Sequence, residues 1–507
     1  MARARLTKAP LAGAWGLIAA VADPGSFEIW DDDIVSADPL SFVDSKPYAE
    51  RLTEAARGSV SNESVVTGSA LLEERPLGLI AGHFPFLGGS IGVAAGERIA
   101  RAFERALAGG WPVLALPASG GARMQEGVLA LVQMIKLAQS VREFRSAGLP
   151  YVVYLTDPTI GAVLASWGSL GHLTFGMPRA VVGFSGPRVV QLTTGAAFPM
   201  GVQRPETLKQ HGLIDDTFPL QELRSRMSLL LSSLESGSYR RFAGPEIDGD
   251  RNGDAWNSVQ RSRDATRPGA RDLLERCATH VTYLRGDGTG GGDDPCCIAA
   301  VARFVGVPSV IVAQDRSASP TGAHMGPAGY RKARRAMGIA TELRLPLVTI
   351  IDSPGAEMSV EAETGGLSAE IARCLLDMTG LAIPTVSLLL GEGAGGGALA
   401  LLPADRVLSA KNAWLSSIAP EAASAIVHRS IDRAPDLAAA QRIGSWDLER
   451  FGIVDAVIQE PPEPTEGRAE FLDRVGASVR RELNALLDQP PEERLSARSR
   501  RYRTVGS

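Results

Sequence analysis

The run Pro150-Tyr-Val-Val-Tyr-Leu-Thr-Asp157-Pro158-Thr-Ile-Gly161-Ala162-Val-Leu-Ala-Ser166 has the residue types and order needed to hold an anionic oxygen. Tyr151 to Leu155 is apolar and β-rich, Asp157-Pro158 marks a turn, and the small residues that follow predict a helix opening at Gly161 and Ala162. The first N–H groups of a helix lack internal acceptors and share the positive end of its dipole. Donors fixed in that way stabilise charge as it develops, so the chemistry on offer is that of an oxyanion hole. A plain strand-to-helix turn, with small residues for close packing, has the same local pattern.

The same passage occurs twice. A shift of about 234 positions lays Pro112-Val-Leu-Ala-Leu-Pro-Ala-Ser119-Gly-Gly121-Ala on Pro346-Leu-Val-Thr-Ile-Ile-Asp352-Ser-Pro354-Gly355-Ala. Pro150 to Leu155 falls on Pro384 to Leu389, Gly161-Ala162 beside Gly396-Gly397, and Gly212-Leu-Ile-Asp215 on Gly452-Ile-Val-Asp455. The period is far too long for a solenoid and has the length of a whole domain. Two copies of one α/β unit are therefore expected, each with its own small-residue turn, Gly391 to Gly397-Ala398 being the second.

The elements that must position these turns can be read in order. An amphipathic helix over Leu11 to Ala22, stopped by Asp23-Pro24-Gly25, competes with a signal-peptide reading of the basic Met1 to Lys8 and the apolar run after it. Residues 23 to 60 read as acidic and turn-rich, with Phe27 to Trp30 extended. Val65 to Phe84 predicts strands, and Val93 to Leu107 a helix with Ile99, Ala102, Phe103 and Ala106 inward and Glu97, Arg98, Arg101 and Glu104 outward. Strand Val113 to Leu116 meets Ser119-Gly120-Gly121-Ala-Arg123-Met-Gln-Glu126-Gly, then a helix from Val128 to Phe144; Arg179 to Phe184 reads as another strand. Residues 236 to 270 carry turn and linker chemistry and mark the boundary. Beyond it come a Gly/Asp-rich hairpin tip (Gly286 to Asp294), strands over Ile298 to Ala313, a loop (Ser319 to Pro327), and a basic helix, Tyr330-Arg-Lys332-Ala-Arg334-Arg335. That helix presents either a solvated face or a contact for an anionic substrate. A helix from Leu367 to Thr379, a charged one from Gly467 to Leu487 and a basic tail ending Arg500-Arg-Tyr-Arg503 complete the chain.

Composition excludes several classes. The 507 residues carry a formal net charge of −5, so there is no global basic field for nucleic acid. Cys277, Cys296, Cys297 and Cys374 match no zinc template, and no metal is expected. No run is long enough to span a bilayer, and a cytoplasmic protein without a membrane partner is expected. The Rossmann fingerprint and the Walker A loop are both missing. Gly88-Gly-Ser90-Ile-Gly92 formally matches a serine-hydrolase elbow, without an assignable His and Asp.

These motifs resemble the biotin-dependent carboxyltransferases of acyl-CoA carboxylases. Phe86 to Gly92, Ser119 to Gly127, Leu155 to Gly161, Phe184-Ser-Gly186-Pro-Arg188 and Val202 to Glu206 look like the β subunit of bacterial acetyl-CoA carboxylase. Gly329 to Ala333, Ile351 to Ala356, Gly391 to Ala400, Ser417 to Glu421 and Tyr502-Arg503 look like the α subunit, and β-like then α-like order in one chain is similar to the fused enzymes of actinobacteria. The resemblance covers nearly the whole chain. It implies an α/β chain of two tandem crotonase-like (ClpP/crotonase) domains: residues 1–245, acyl-CoA-binding and without the zinc ribbon of the two-subunit enzyme, and residues 246–507, on the biotin side. It implies an active site between the first-half domain of one protomer and the second-half domain of another, hence a homo-oligomer. It further implies biotin on a separate carrier protein, a biotin carboxylase partner, and a CoA thioester as substrate.

Enolising a thioester requires strong stabilisation of its oxygen, and in the family the base is the biotin ureido nitrogen, whose own oxygen must also be held. By resemblance, Gly161 and Ala162 supply the first hole, and Gly397 and Ala398 the second; Gly120, Gly121, Arg123, Phe184, Gly186, Gly396 and Lys332 are expected to bind substrate. The family's second glycine at the first turn is Ala162 here, a change that keeps the N–H. Ala400, near the acyl pocket, leaves acyl length open. A decarboxylase subunit acting on malonyl-type thioesters through biotin, and a non-catalytic scaffold copy, are the competing readings.

Overall fold

Strand Val113–Leu116 and strand Tyr151–Leu155 are buried at every position, the mark of parallel strands covered on both faces. The computed structural model describes residues 13–186, 190–192, 195, 199, 201–235, 254–318, 324–462 and 467–505. The chain forms two units, Met1–Ser228 and Leu229–Ser507.

In the first unit the strands are β1 (Glu28–Trp30), β2 (Val65–Leu72), β3 (Arg75–Gly82), β4 (Val113–Leu116), β5 (Tyr151–Leu155), β6 (Thr159–Ile160), β7 (Leu173–Gly176), β8 (Val182–Gly183) and β9 (Asp216–Thr217). Among the described residues its main sheet runs β1-β2-β3-β4-β5-β7-β9. The β1–β2 and β2–β3 pairings are antiparallel and all later ones parallel. In the second unit β10 (Ala278–Leu284), β11 (Cys297–Phe304), β12 (Val307–Gln314), β13 (Leu347–Ser353), β14 (Thr385–Ala394), β15 (Arg406–Ala410) and β17 (Ala456–Ile458) form a sheet of the same order and directions. The small parallel pair β6–β8 corresponds to the outer end of β14 paired with β16 (Trp414–Ser416).

The repetition extends to single hydrogen bonds. Asp215 accepts from Thr174 N (2.9 Å) and donates its own N–H to Thr174 O (2.7 Å); Asp455 makes the same pair of bonds with Val407 (2.7 and 2.7 Å). Ser119 Oγ accepts from Gly121 N at 3.0 Å, as Ser353 Oγ does from Gly355 N at 3.2 Å. Both glycines have positive φ, 113° and 142°. The self-alignment of the sequence is thus a structural duplication.

The first unit also holds helices α1 (Ala14–Ala19), α2 (Tyr48–Gly58), α3 (Val93–Gly109) and α4 (Gly127–Ser146); in the second, α5 (Pro327–Glu342), α6 (Leu367–Gly380) and α7 (Gly395–Leu399) matter for the site. Helix α1 agrees with the amphipathic-helix reading: Ala14, Trp15, Leu17 and Ile18 are buried, and His83 Nδ1 accepts the Ala14 N–H (3.3 Å). Residues Met1 to Lys8, and Pro187 and Arg188, lie outside the described residues.

Several expectations are corrected. Arg98 does not face outward. It is fully buried, because backbone oxygens of Ile34 (2.7 Å), Val65 (3.1 Å) and Asp32 (3.3 Å) and Asn62 Oδ1 (2.9 Å) take its guanidinium. Residues 23 to 60 contain a helix, α2, which has one buried side chain, Tyr48, and so left little apolar periodicity to read. The strand expected over Arg179 to Phe184 shrinks to Val182–Gly183, since Arg179 has φ +63° and the Val181 N–H is taken by Asp157 Oδ1 (2.7 Å). In the expected boundary, residues 236–253 are outside the described set, and Ala255–Ser262 is a helix. The basic tail is helical, Pro491–Thr504. Its Arg498 is buried, bound to Asp405 Oδ1 (2.7 Å) and to the carbonyls of Met378 and Leu381.

Candidate active site: two matched small-residue turns

In the first unit the loop after β4 lies alongside the turn after β5. Ser119 N donates to Pro158 O (2.7 Å), Ile160 N to Ser119 O (3.0 Å), and Ser119 bridges Thr159 in parallel fashion. Gly161 has φ +68°, and a methyl group placed on it would stand 3.2 Å from Gly121 Cα. Only glycine meets both conditions without strain.

The expected helix does not form after Gly161. Residues 161 to 166 are an irregular turn, with Ala165 N donating to Gly161 O (3.1 Å) and Gly168 N to Val163 O (2.9 Å). The Ser166 hydroxyl donates to Ala162 O (2.6 Å), competing with the helical pattern. The donor set shifts accordingly. The Gly161 N–H is spent on Gly183 O (3.1 Å), so Gly161 is not a donor to a ligand. The Gly120 N–H is spent on Gly88 O (2.8 Å) and the Gly121 N–H on Ser119 Oγ. Among the described residues, the N–H groups of Ala162 and Ala122 have no acceptor. They stand on the two segments that the bridge holds together, and Ala162 N is 3.6 Å from where a methyl on Gly121 would lie. A cavity of about 10 Å³ beneath them is lined by Ile91, Ala122, Ala162, Val163 and other residues, none of them ionisable.

Phe184 flanks this turn with an exposed ring, and its carbonyl oxygen lies 3.8 Å from the methyl position of Gly161; Gly186 packs against Ile160. Arg123 is a correction. Its side chain is wholly buried, and Nη2 binds Glu63 Oε1 (2.6 Å), Ser64 Oγ (2.9 Å) and Ser90 O (2.6 Å). It therefore braces the loop that carries Ala122 and cannot touch a substrate. Ser90 Oγ donates to Leu87 O (2.9 Å) and accepts from Arg123 Nε (3.2 Å), an arrangement for packing and not a nucleophile paired to a histidine.

The second turn is a short helix, α7. Gly395, with φ +64°, stands where Gly161 stands in the first unit, one residue earlier than the sequence alignment placed it. Helix geometry leaves the N–H groups of Gly396 and Gly397 without intrahelical acceptors and commits that of Ala398 to the first helical bond, while the Ala394–Ser416 register turns the Gly395 N–H toward β16, as that of Gly161 is turned toward β8. Ala398, fully buried, is thus removed from the donor set, and Gly396, exposed, takes the place equivalent to Ala162. Gly397 is boxed in: a methyl there would meet Ala356 N at 2.8 Å and Tyr330 Oη at 2.9 Å. The Ala356 N–H, like that of Ala122, has no acceptor among the described residues.

Lys332 is the other correction. It is buried, and its ammonium binds Asp293 Oδ1 (2.7 Å), Cys297 O (2.7 Å) and, at 3.4 Å, Asp294 O. It helps to line a cavity of about 280 Å³ with Arg271, Tyr283 and Arg285, but all three of its protons are already taken. Of the other cations of α5, Arg331 is paired with Asp287 and Arg334 with Asp377 and Glu370, and Arg335 donates to Arg285 O (2.9 Å). The four cysteines are free, and burial pushes the Cys297 thiol up to about 12. Among the described residues no group of His, Cys, Asp and Glu is gathered to hold a metal ion, and no helix is long and apolar enough to cross a membrane.

Comparison with known proteins agrees with this architecture. The carboxyl transferase domain family matches residues 21–220, and the acetyl co-enzyme A carboxylase carboxyltransferase-like family matches residues 250–506. A probable biotin-dependent acyl-coenzyme A carboxylase beta3 subunit of Mycobacterium tuberculosis is 46% identical over 491 residues, covering 96% of this chain and 97% of its own. The acetyl-coenzyme A carboxylase carboxyl transferase subunits beta/alpha of Salinispora arenicola are 39% identical over 509 residues (97% and 90%). A crystal structure of transcarboxylase 12S, described as a hexamer with methylmalonyl-coenzyme A bound, has a TM-score of 0.73 at 21% identity (94% and 90%) and attests the fold. With duplicated sheets, matched turns and such relatives, the chain belongs to the carboxyltransferase family of biotin-dependent acyl-CoA carboxylases.

Proposed function

We propose that this protein transfers a carboxyl group from carboxybiotin, borne on a separate carrier protein charged by a biotin carboxylase, to the α-carbon of acetyl-CoA or another short acyl-CoA, giving malonyl-CoA or its homologue. Residues 1–245 take the acyl-CoA and residues 246–507 the biotin. One observation carries this reading: each unit ends its central strand in a turn with a paired set of unspent backbone N–H groups, and the small cavity beneath the first turn is lined by no ionisable side chain. A reaction that makes an enolate without a protein base needs the base to arrive with a substrate. Carboxybiotin supplies both the carboxyl group and, once that has left, the nitrogen that takes the α-proton.

The chain's own residues do the rest. The Ala122 and Ala162 N–H groups hold the thioester oxygen and gain strength as it becomes an enolate oxygen; each such donor is worth about 3 kcal/mol. The Gly396 and Ala356 N–H groups, the counterparts of Ala162 and Ala122, fit the ureido oxygen, with Ile371 against the Gly396 side. Expected results are specific. With labelled bicarbonate, ATP, biotin carboxylase and biotinylated carrier, the protein should label acetyl-, propionyl- or butyryl-CoA. Gly396→Pro should abolish labelling while leaving CoA affinity within about twofold. Failure to label any of the three with all partners present would overturn the reading.

A homo-oligomer is part of the proposal. Val128, Leu131, Val132 and Ile135 form an exposed apolar stripe at helical spacing along the start of α4, with exposed Met124 in the turn before it, and such a stripe calls for a covering surface. We assign it to a second copy of this chain, consistent with two half-sites that must meet. Sedimentation of Leu131→Glu/Ile135→Glu should show a smaller species with lost transfer activity; an unchanged assembly would rule this surface out.

A further inference from the structure

The two turns are copies, yet the second is braced by a side chain that the first lacks. Gln314, at the end of β12, is completely buried. Its Nε2 donates to Gly397 O (3.0 Å), and its Oε1 accepts from Asp352 N (3.2 Å). Asp352 extends the chain of bonds, accepting from Glu392 N (3.0 Å) and from Arg267 Nη2 (2.5 Å), while Arg267 Nη1 donates to Leu390 O (2.8 Å). Three strand ends and the turn between β14 and α7 are thereby tied into one hydrogen-bonded unit.

The register of the two hairpins puts Gly82 of the first unit where Gln314 stands in the second. A side chain at Gly82 has no room, since a methyl there would lie 2.3 Å from Ala118 N. The difference follows from helix length. Helix α7 has five residues, and Leu401 N, which would normally serve Gly397 O, donates to Ala398 O instead (3.2 Å). A buried carbonyl is thus left for a side chain to satisfy. The first unit has an irregular turn at this point and no such carbonyl to hold.

We propose that Gln314 is a positioning residue for the second turn: by fixing the Gly397 carbonyl it holds the first turn of α7, and with it the direction of the Gly396 and Gly397 N–H groups, and so acts on the biotin half of the reaction alone. The inference rests on the reading that this turn serves the biotin-borne group. Gln314→Met keeps the volume and removes both bonds; Gln314→Glu keeps the shape and removes the donor. In the full chain with carrier and biotin carboxylase, both variants should lower kcat at least about tenfold, as donors lose alignment. KM for acyl-CoA and calorimetric affinity for CoA should stay within about twofold. Independently of activity, amide exchange in the peptide spanning residues 394–400 should quicken at least about tenfold, with the first unit unchanged. Turnover within twofold of the parent, or unchanged exchange in that peptide, overturns the proposal, and so does an equal loss of CoA binding. If the parent protein itself transfers no carboxyl group from biotin, the functional reading fails instead, and the exchange result still decides whether Gln314 holds the turn.

Discussion

Replacing Ala162 by proline is expected to reduce carboxyl transfer at least about a hundredfold, with CoA affinity nearly unchanged. The Ala162 N–H is unspent among the described residues, whereas that of its neighbour Gly161 donates to Gly183 O at 3.1 Å. In the proposed reaction, proline deletes one donor to the thioester oxygen, a contact worth about 3 kcal/mol when the oxygen carries charge. Since the contact matters little before charge develops, the loss belongs to kcat and not to ground-state binding. Ala162→Gly keeps the N–H and should be nearly silent. Gly161→Ala strains a φ of +68° and presses on Gly121, so it should weaken turnover through geometry. Steady-state kinetics with CoA calorimetry separate these cases. Ala162→Pro with a native circular-dichroism spectrum and normal turnover would place the thioester oxygen elsewhere.

The largest stability effect is expected at Arg123. Arg123 and Glu63 are both sealed from solvent, and Glu126 is almost so. Removing one member of a buried pair leaves a charge uncompensated, at a cost of about 3–5 kcal/mol. Arg123→Met should therefore lower the urea midpoint strongly, and adding Glu63→Gln should recover much of the loss. The pH dependence should change sign. In the parent, burial would raise the Glu63 pKa, but the Arg123 charge and hydrogen bonds from Arg123, Ser36 and Ser64 outweigh it and hold the carboxyl below its usual range. The unfolded state then binds more protons as the pH falls. The Glu63 contribution is thus complete above the ordinary glutamate value of about 4.3 and is lost as pH falls through the folded value. In Arg123→Met the desolvated carboxyl should titrate above that value, so stability should fall as pH rises from about 4 toward neutrality. Urea titrations across this window would test the sign. The same network holds the loop that carries Ala122: Glu126 Oε2 accepts the Val93 N–H at the start of α3 (2.6 Å), and Oε1 accepts the Tyr48 hydroxyl (2.7 Å). Loss of Arg123 should consequently reduce turnover as well.

The chain order determined the duplication, most of the sheet and the location of both turns. These depend on local patterns: apolar runs of strand length at Val113 and Tyr151, repeated at Leu347 and Thr385, each ending in small residues. The helix with Ile99, Ala102, Phe103 and Ala106 inward was legible for the same reason, because those side chains recur with the period of a helix. What a polar group does was not legible. Arg98 reads in sequence as a surface arginine and Arg123 as a substrate-binding one, and only the arrival of Ile34, Val65, Glu63 and Ser90 from distant segments makes them interior. Lys332 lies on a basic helix that reads as solvated or ligand-binding, until the hairpin carrying Asp293 and Cys297 closes over its ammonium. The sequence marked Gly161, Ala162, Gly397 and Ala398 as the donors. Tertiary structure decided which N–H groups remain unspent, taking Gly161 out through Gly183 and Ala398 out through the first turn of its own helix, and bringing in Ala122, Gly396 and Ala356. A glycine-rich stretch states that the backbone can approach a ligand closely; which amide stays free is set by acceptors that fold in from elsewhere in the chain.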